Sequence, residues 1–167
     1  KKYPDQNNPI TFHPSLSELA EFQLNRRPIL FMTKEEHGAL RSLTIANEFN
    51  LSPWLLGSGY EYRRLDEIAE LNPFIVFPLE FPSKPKVKDP FIPLQYSTEQ
   101  LKHWDMAPDN IHKVFEKGIR FSFTSATLKN KKDFRKNIQK IIDRGLPKSV
   151  ALSAMTTYPA EAMGLEN

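Results

Sequence analysis

The chain has four histidines, His13, His37, His103 and His112, among 167 residues and no cysteine. The missing thiols exclude disulfides, thiolate metal sites and a cysteine nucleophile. No histidine is read as paired at i, i+4 with a second ligand on a helix, the spacing that lets one helix face hold a metal. His37 shares a helical stretch with Glu35 and Glu36, and an exposed imidazole is the default there. His13 lies in Thr11-Phe12-His13-Pro14 and reads as a turn residue. Gly57-Ser58-Gly59 lacks the Gly-x-Ser-x-Gly frame that strains a serine into a nucleophile. Its glycines would let backbone N–H groups approach an anion, or simply make a tight turn. Thr33, Lys34, Glu35, Glu61, Arg63 and Thr124 all lie just past apolar runs, where side chains line a pocket or cap helices. The basic run Lys129–Lys132 opens a helical pattern and reads as a solvated face.

The elements that must position these residues form a repeating plan. Residues 1–14 read as an extended polar lead-in, and residues 15–167 as one domain. Ser15 or Ser17 could cap a first helix ending near Asn25, and Ser15, with Glu18 three residues on, has the spacing of a capping box. Pro28-Ile29-Leu30-Phe31-Met32 is a short apolar run and reads as a buried strand. Ala39, Leu40, Leu43, Ile45, Ala46 and Phe49 recur at helical spacing and predict one buried face. Trp54-Leu55-Leu56 is the next strand, so Arg27 to Tyr62 reads as a parallel βαβ unit. Arg63 to Leu71 predicts a helix, stopped by Asn72-Pro73. Phe74-Ile75-Val76-Phe77 predicts a strand covered on both faces. The prolines of residues 78–96 exclude helix interiors and central strands, and predict a long loop. Two helices are expected next, one from Ser97 to Trp104 and one from Ala107 to Gly118. Ile119 to Phe123 predicts the fourth strand. Asp133 to Asp143 predicts a helix with Gly145 as its C′ residue. Two short helices follow between Pro147 and Met163, broken near Thr157.

Four strands, each followed by at least one helix, give an α/β fold of parallel βα units. They make half of a (β/α)8 TIM-type barrel, or a small open parallel sheet. Hydrophobic residues are 40% and charged residues 26%, ordinary for a globular domain. No apolar run approaches the ~20 residues that span a bilayer. The net charge of +3 sets 23 scattered basic residues against 20 acidic ones, which does not suggest nucleic acid. The chain opens on Lys1-Lys2-Tyr3-Pro4 and reads as an internal piece of something longer. Its compartment is not identified by composition.

The C-terminal stretch carries a resemblance. Gly145-Leu146, followed by Ala151-Leu152-Ser153-Ala154-Met155-Thr156-Thr157-Tyr158-Pro159-Ala160 and Gly164-Leu165, resembles the closing segment of the amidohydrolase superfamily, in its imidazolonepropionase-like branch. Lys117 to Ser125 resembles that family's eighth barrel strand, Arg27 to Thr33 its fifth, and Leu51 to Gly57 its sixth. The resemblance implies the second half of a barrel from enzymes that hydrolyse amide C–N bonds with a divalent metal such as zinc. It also implies where ligands belong: histidines ending the fifth and sixth strands and an aspartate ending the eighth. Met32, Leu56 and Ser125 stand at those positions. A thioether, an alkyl group and a hydroxyl do not replace imidazole or carboxylate on zinc.

The expectation is therefore an amidohydrolase-like domain, a pseudoenzyme fragment with vestigial ligand positions Met32, Leu56 and Ser125 and no cofactor of its own. Thr33, Lys34, Gly57, Ser58, Gly59, Glu61 and Thr124 are its candidate pocket-lining residues. The expected partners are the missing first half of the barrel, an adjacent catalytic domain or a second copy, with no nucleic acid and no membrane. An active hydrolase with ligands outside this segment, under a lid formed by residues 78–96, is one alternative. A small-molecule or protein-binding module is another.

Overall fold

The computed structural model describes residues 14–25, 27–85 and 96–165. It is an α/β fold built on four strands: β1 (Pro28–Met32), β2 (Ser52–Leu56), β3 (Phe74–Pro78) and β4 (Phe121–Thr124). They form one all-parallel sheet in the order β1-β2-β3-β4. The helices are α1 (Pro14–Leu24), α2 (Glu36–Glu48), α3 (Leu65–Glu70), α4 (Thr98–Glu116), α5 (Asp133–Asp143), α6 (Lys148–Met155) and α7 (Thr157–Ala162). A 3-10 turn at Glu61–Arg63 precedes α3. Sequential parallel strands with helical crossovers are consistent with half of a TIM-type barrel.

Successive side chains in a strand point to opposite faces, so register divides the sheet. Phe31, Leu55, Ile75 and Phe121 are aligned across the four strands, and Phe77 aligns with Phe123. This odd-numbered face packs with Ala39 and Leu43 of α2, Ile68 of α3, Ile111 and Val114 of α4, and Ile141 of α5 to form the core. Leu146, Ala151 and Ala154 extend the core beside β4. The even-numbered face, with Leu30, Met32, Trp54, Leu56, Phe74 and Val76, lies outside that core. Trp54 and Phe74 pack on each other there, with ring centroids 4.9 Å apart.

Local chemistry explains the element ends. Ser97 and Gln100 form a reciprocal capping box that starts α4, with bonds of 3.1 and 2.9 Å. Helix α5 ends in a Schellman motif: Gly145 N–H donates to the Ile142 carbonyl and Leu146 N–H to Ile141. Gly145 has φ +110°, so the expected C′ role is met there. Gly118, at φ +73°, ends α4 in the same way and delivers Ile119 to the core.

Several sequence expectations are corrected. Strand β1 is not buried on both faces, because Leu30 and Met32 point to the open even face of an edge strand; Met32 is 76% exposed. Ile45 and Phe49 are about half exposed, since α2 turns only Ala39, Leu43 and Ala46 fully to the core. Helix α1 starts at Pro14, which leaves Ser15 inside it and not at a cap. The helix expected from Arg63 starts at Leu65, after the 3-10 turn. The two helices expected around residues 97–118 are one helix, α4, with Pro108 in its interior. Proline there removes one i→i−4 bond, at a cost of about 3 kcal/mol. Burial of Ala107, Pro108, Ile111 and Val114 on the same face offsets that cost. The lead-in through residue 13, and residues 86–95 of the Pro-rich loop, lie outside the described residues.

Gly57, which closes β2, has no room for a side chain: a Cβ would sit 2.5 Å from Cδ1 of the buried Phe77 ring. Gly57→Ala is expected to cost about 2 kcal/mol through overpacking. The loss should be read as a lowered Tm, and Phe77→Leu in the same chain should recover part of it.

Candidate functional site

The four C-terminal strand ends define one rim of the sheet, and the sequence-derived candidates distribute along it. Met32 and Leu56 are direct cross-strand partners on the even face. Leu56 in turn aligns with Val76. Thr124 is the last residue of β4, aligned with Pro78 on that same face. Its hydroxyl accepts from Ala126 N–H at 3.2 Å, which turns the chain away from the strand. Ser125 falls just beyond β4, and its carbonyl accepts from Leu128 N–H. Among the described residues, no three His, Asp or Glu side chains converge on a point that could hold a metal. Met32, Leu56 and Ser125 offer a thioether, an alkyl group and a hydroxyl, which do not fit zinc for want of imidazole or carboxylate donors.

Gly57, Ser58 and Gly59 form a turn locked from beneath by Glu61. The Glu61 side chain is fully buried. Its carboxylate accepts from Ser58 N–H at 2.5 Å, the Ser58 hydroxyl at 2.9 Å, Gly59 N–H at 3.1 Å and Asn110 Nδ2 at 2.6 Å. Asn110, also fully buried, accepts from Tyr62 N–H at 2.8 Å. A buried carboxylate survives only when its lone pairs are occupied, and here both oxygens carry two donors. Glu61 is thus an anchor joining the β2 loop to α4 and does not line a pocket. The space beside this turn is only about 40 Å³, too little for a ligand of any size.

The open space lies one strand over. A cleft of about 740 Å³ at the end of β1 is lined by Met32, Thr33, Lys34, Ile45, Arg63 and Glu99, among others. Arg63 spans its floor, 3.3 Å from Glu36 and 2.7 Å from Glu99, with its guanidinium 4.5 Å from the Tyr60 ring centroid. Burial works against the Arg63 charge, but the nearby Tyr62 oxygen and the hydrogen bonds Arg63 donates to Glu99 and Glu36 outweigh it and raise its pKa. Glu36 is also partly desolvated, which pushes its carboxyl up. Its own backbone amide at the start of α2, together with Arg63, reverses that and leaves it below its ordinary 4.5.

His103 of α4 stacks on Tyr60, with centroids 3.7 Å apart and planes 13° from parallel. Burial, followed by the nearby Arg63 charge, lowers its pKa below the ordinary 6.5, against the smaller pull of Glu36 and Glu99. The buried Nδ1 of His103, the Thr33 hydroxyl and the Tyr62 hydroxyl have no partner in hydrogen-bonding geometry. His112 does pair at i, i+4, with Glu116 at 3.4 Å, contrary to the sequence reading. His112 is largely covered there, and among the described residues the pair gathers no further ligand. Lys129 lines a separate groove with Lys136 and Lys140. Lys140 lies over the Phe81 ring, its pKa lowered by burial first and then by Arg144 and Lys136.

Asn110 is absent from the sequence reading, and His103 has no partner in it, because the expected helices break between them. In one helix they are seven residues apart, and so share a face with Ala107. No helix among the described residues is long and apolar enough to cross a membrane. No family model, curated protein or solved structure matches the chain.

Glu61→Ala removes the acceptor of four donors and strands Asn110 in the core, so a loss of about 2 to 4 kcal/mol is expected. Urea denaturation should show it, with Ser58→Ala costing much less. His103 generates a pH dependence. Its folded pKa lies below the unfolded one, so the unfolded chain takes up the proton first and stability falls as pH drops through 6.5. His103→Phe should flatten the Tm profile between pH 7.5 and 5.5. The Glu36 contribution remains, because it is lost only below 4.5.

Proposed function

We propose that this chain is an amidohydrolase-like partial barrel, related to enzymes that hydrolyse amide C–N bonds, with its own metal site lost and no catalysis on its own. The observation that carries the reading is register. Met32 and Leu56, the two positions where the resemblance expects histidines, are cross-strand neighbours at the ends of adjacent parallel strands and on one face. Two ligands of one ion need that arrangement, because paired strands lie about 4.8 Å apart. Neither a thioether nor an isobutyl group generates the metal-bound hydroxide such hydrolysis uses. The chain keeps the rim and lacks the donors.

The open β1 end of the even face supports the same reading. Parallel sheets are normally covered on both faces, and Leu30 and Met32 remain 47% and 76% exposed. The missing first half of a barrel is the complement we assign to it.

Zinc binding tests the proposal. The chain should take up no stoichiometric zinc in competition with a chromogenic chelator. Met32→His, Leu56→His and Ser125→Asp together should raise zinc affinity at least tenfold, about 1.4 kcal/mol. One tightly held zinc in the unaltered chain would overturn the loss of the site. A folded triple variant without gain would overturn the alignment.

A further inference from the structure

The cleft at the end of β1 has a chemistry independent of the amidohydrolase-like reading. Its volume, about 740 Å³, falls within the range of small-molecule sites. Three cations, Lys34, Arg41 and Arg63, and three carboxylates, Glu35, Glu36 and Glu99, line it, so it is neutral overall. The charges are not evenly spent. Arg41 pairs with Glu35 at 3.6 Å. Glu36 and Glu99 share the single guanidinium of Arg63, which leaves one negative charge uncompensated on that side. Lys34 has no ion-pair partner among the described residues. Beside it in sequence, the buried Thr33 hydroxyl has no hydrogen-bond partner. Met32 and Ile45 add an apolar wall, 76% and 50% exposed.

A free cation with an unused hydroxyl, an under-compensated carboxylate pair and an exposed apolar wall match three groups on one small molecule. We propose that this cleft binds a free apolar α-amino acid as its zwitterion. The ligand carboxylate goes to Lys34 and Thr33, its ammonium to Glu36 and Glu99, and its side chain to Met32 and Ile45. A ligand bearing only one of the two charges leaves the other set of side chains unanswered, at an energetic cost.

The test is an NMR titration of the whole chain with L-leucine, glycine, N-acetyl-L-leucine and L-leucinamide at low salt. Leucine should bind with a Kd of about 1 mM, shifting resonances of Thr33, Lys34 and Ile45. Glycine, lacking the side chain, and the two singly charged forms should each bind at least about threefold more weakly. Lys34→Ala, at an exposed position, should leave the circular dichroism unchanged and weaken leucine about two- to fivefold. Equal binding of leucine, its acetyl form and its amide would overturn the zwitterion assignment. No shift at these residues at about 50 mM leucine would overturn the site.

Discussion

The pleat of a parallel sheet governs this molecule. Residues alternate between faces, and all four strands are in register, so one parity of sequence position meets one set of neighbours. The odd parity, Phe31, Leu55, Ile75, Phe77 and Phe121, meets the helices and makes the core. Burying such a side chain contributes about 1.5–3 kcal/mol. The even parity carries Ser52, Ser122 and Thr124 among its apolar residues and gains least at β1, where Leu30 and Met32 stay exposed. Gly57 belongs to the odd parity as well, and for that reason the Phe77 ring has taken the space a Cβ would fill.

The rim is rigid where a polar network crosses elements and open where it does not. Glu61 and Asn110 link the β2 loop to α4 across 49 residues of sequence. Each extra donor lowers the cost of keeping that carboxylate dry, and the four together hold the loop in one shape. One turn further on, Arg63 faces the cleft at the end of β1 and shares itself between α2, through Glu36, and the start of α4, through Glu99. The network beneath is saturated, while the groups lining the cleft keep unspent capacity in Lys34 and Thr33. Binding chemistry belongs on the second kind of surface, since a saturated network has nothing to offer a ligand.

The strands were legible in sequence because three are short apolar runs and the fourth alternates apolar and polar residues after Gly118, and their sequential parallel order followed from the helices between them. Helix α5 was legible to the residue, with Gly145 marking its end. Local pattern failed where distant packing decides. Pro108 is a helix breaker by propensity and a core residue in fact. The exposure of Leu30 and Met32 depends on what covers a face, which no window of sequence reports. Glu61 read as a mouth residue because its spacing past β2 was visible, while its partner Asn110 was not.

Met32 and Leu56 also show why ligand positions, on the proposed reading, would be lost together. At the partly buried Leu56 position, a histidine retained alone would keep a polar ring on an apolar face, with no ion to repay its desolvation. Once one donor of a set is gone, the others lose their electrostatic reason to be polar. A cross-strand thioether–alkyl pair then packs better than an imidazole. Met32 is an exposed apolar surface beside Lys34, and Glu61 and Asn110 hold the shape of the rim without any metal.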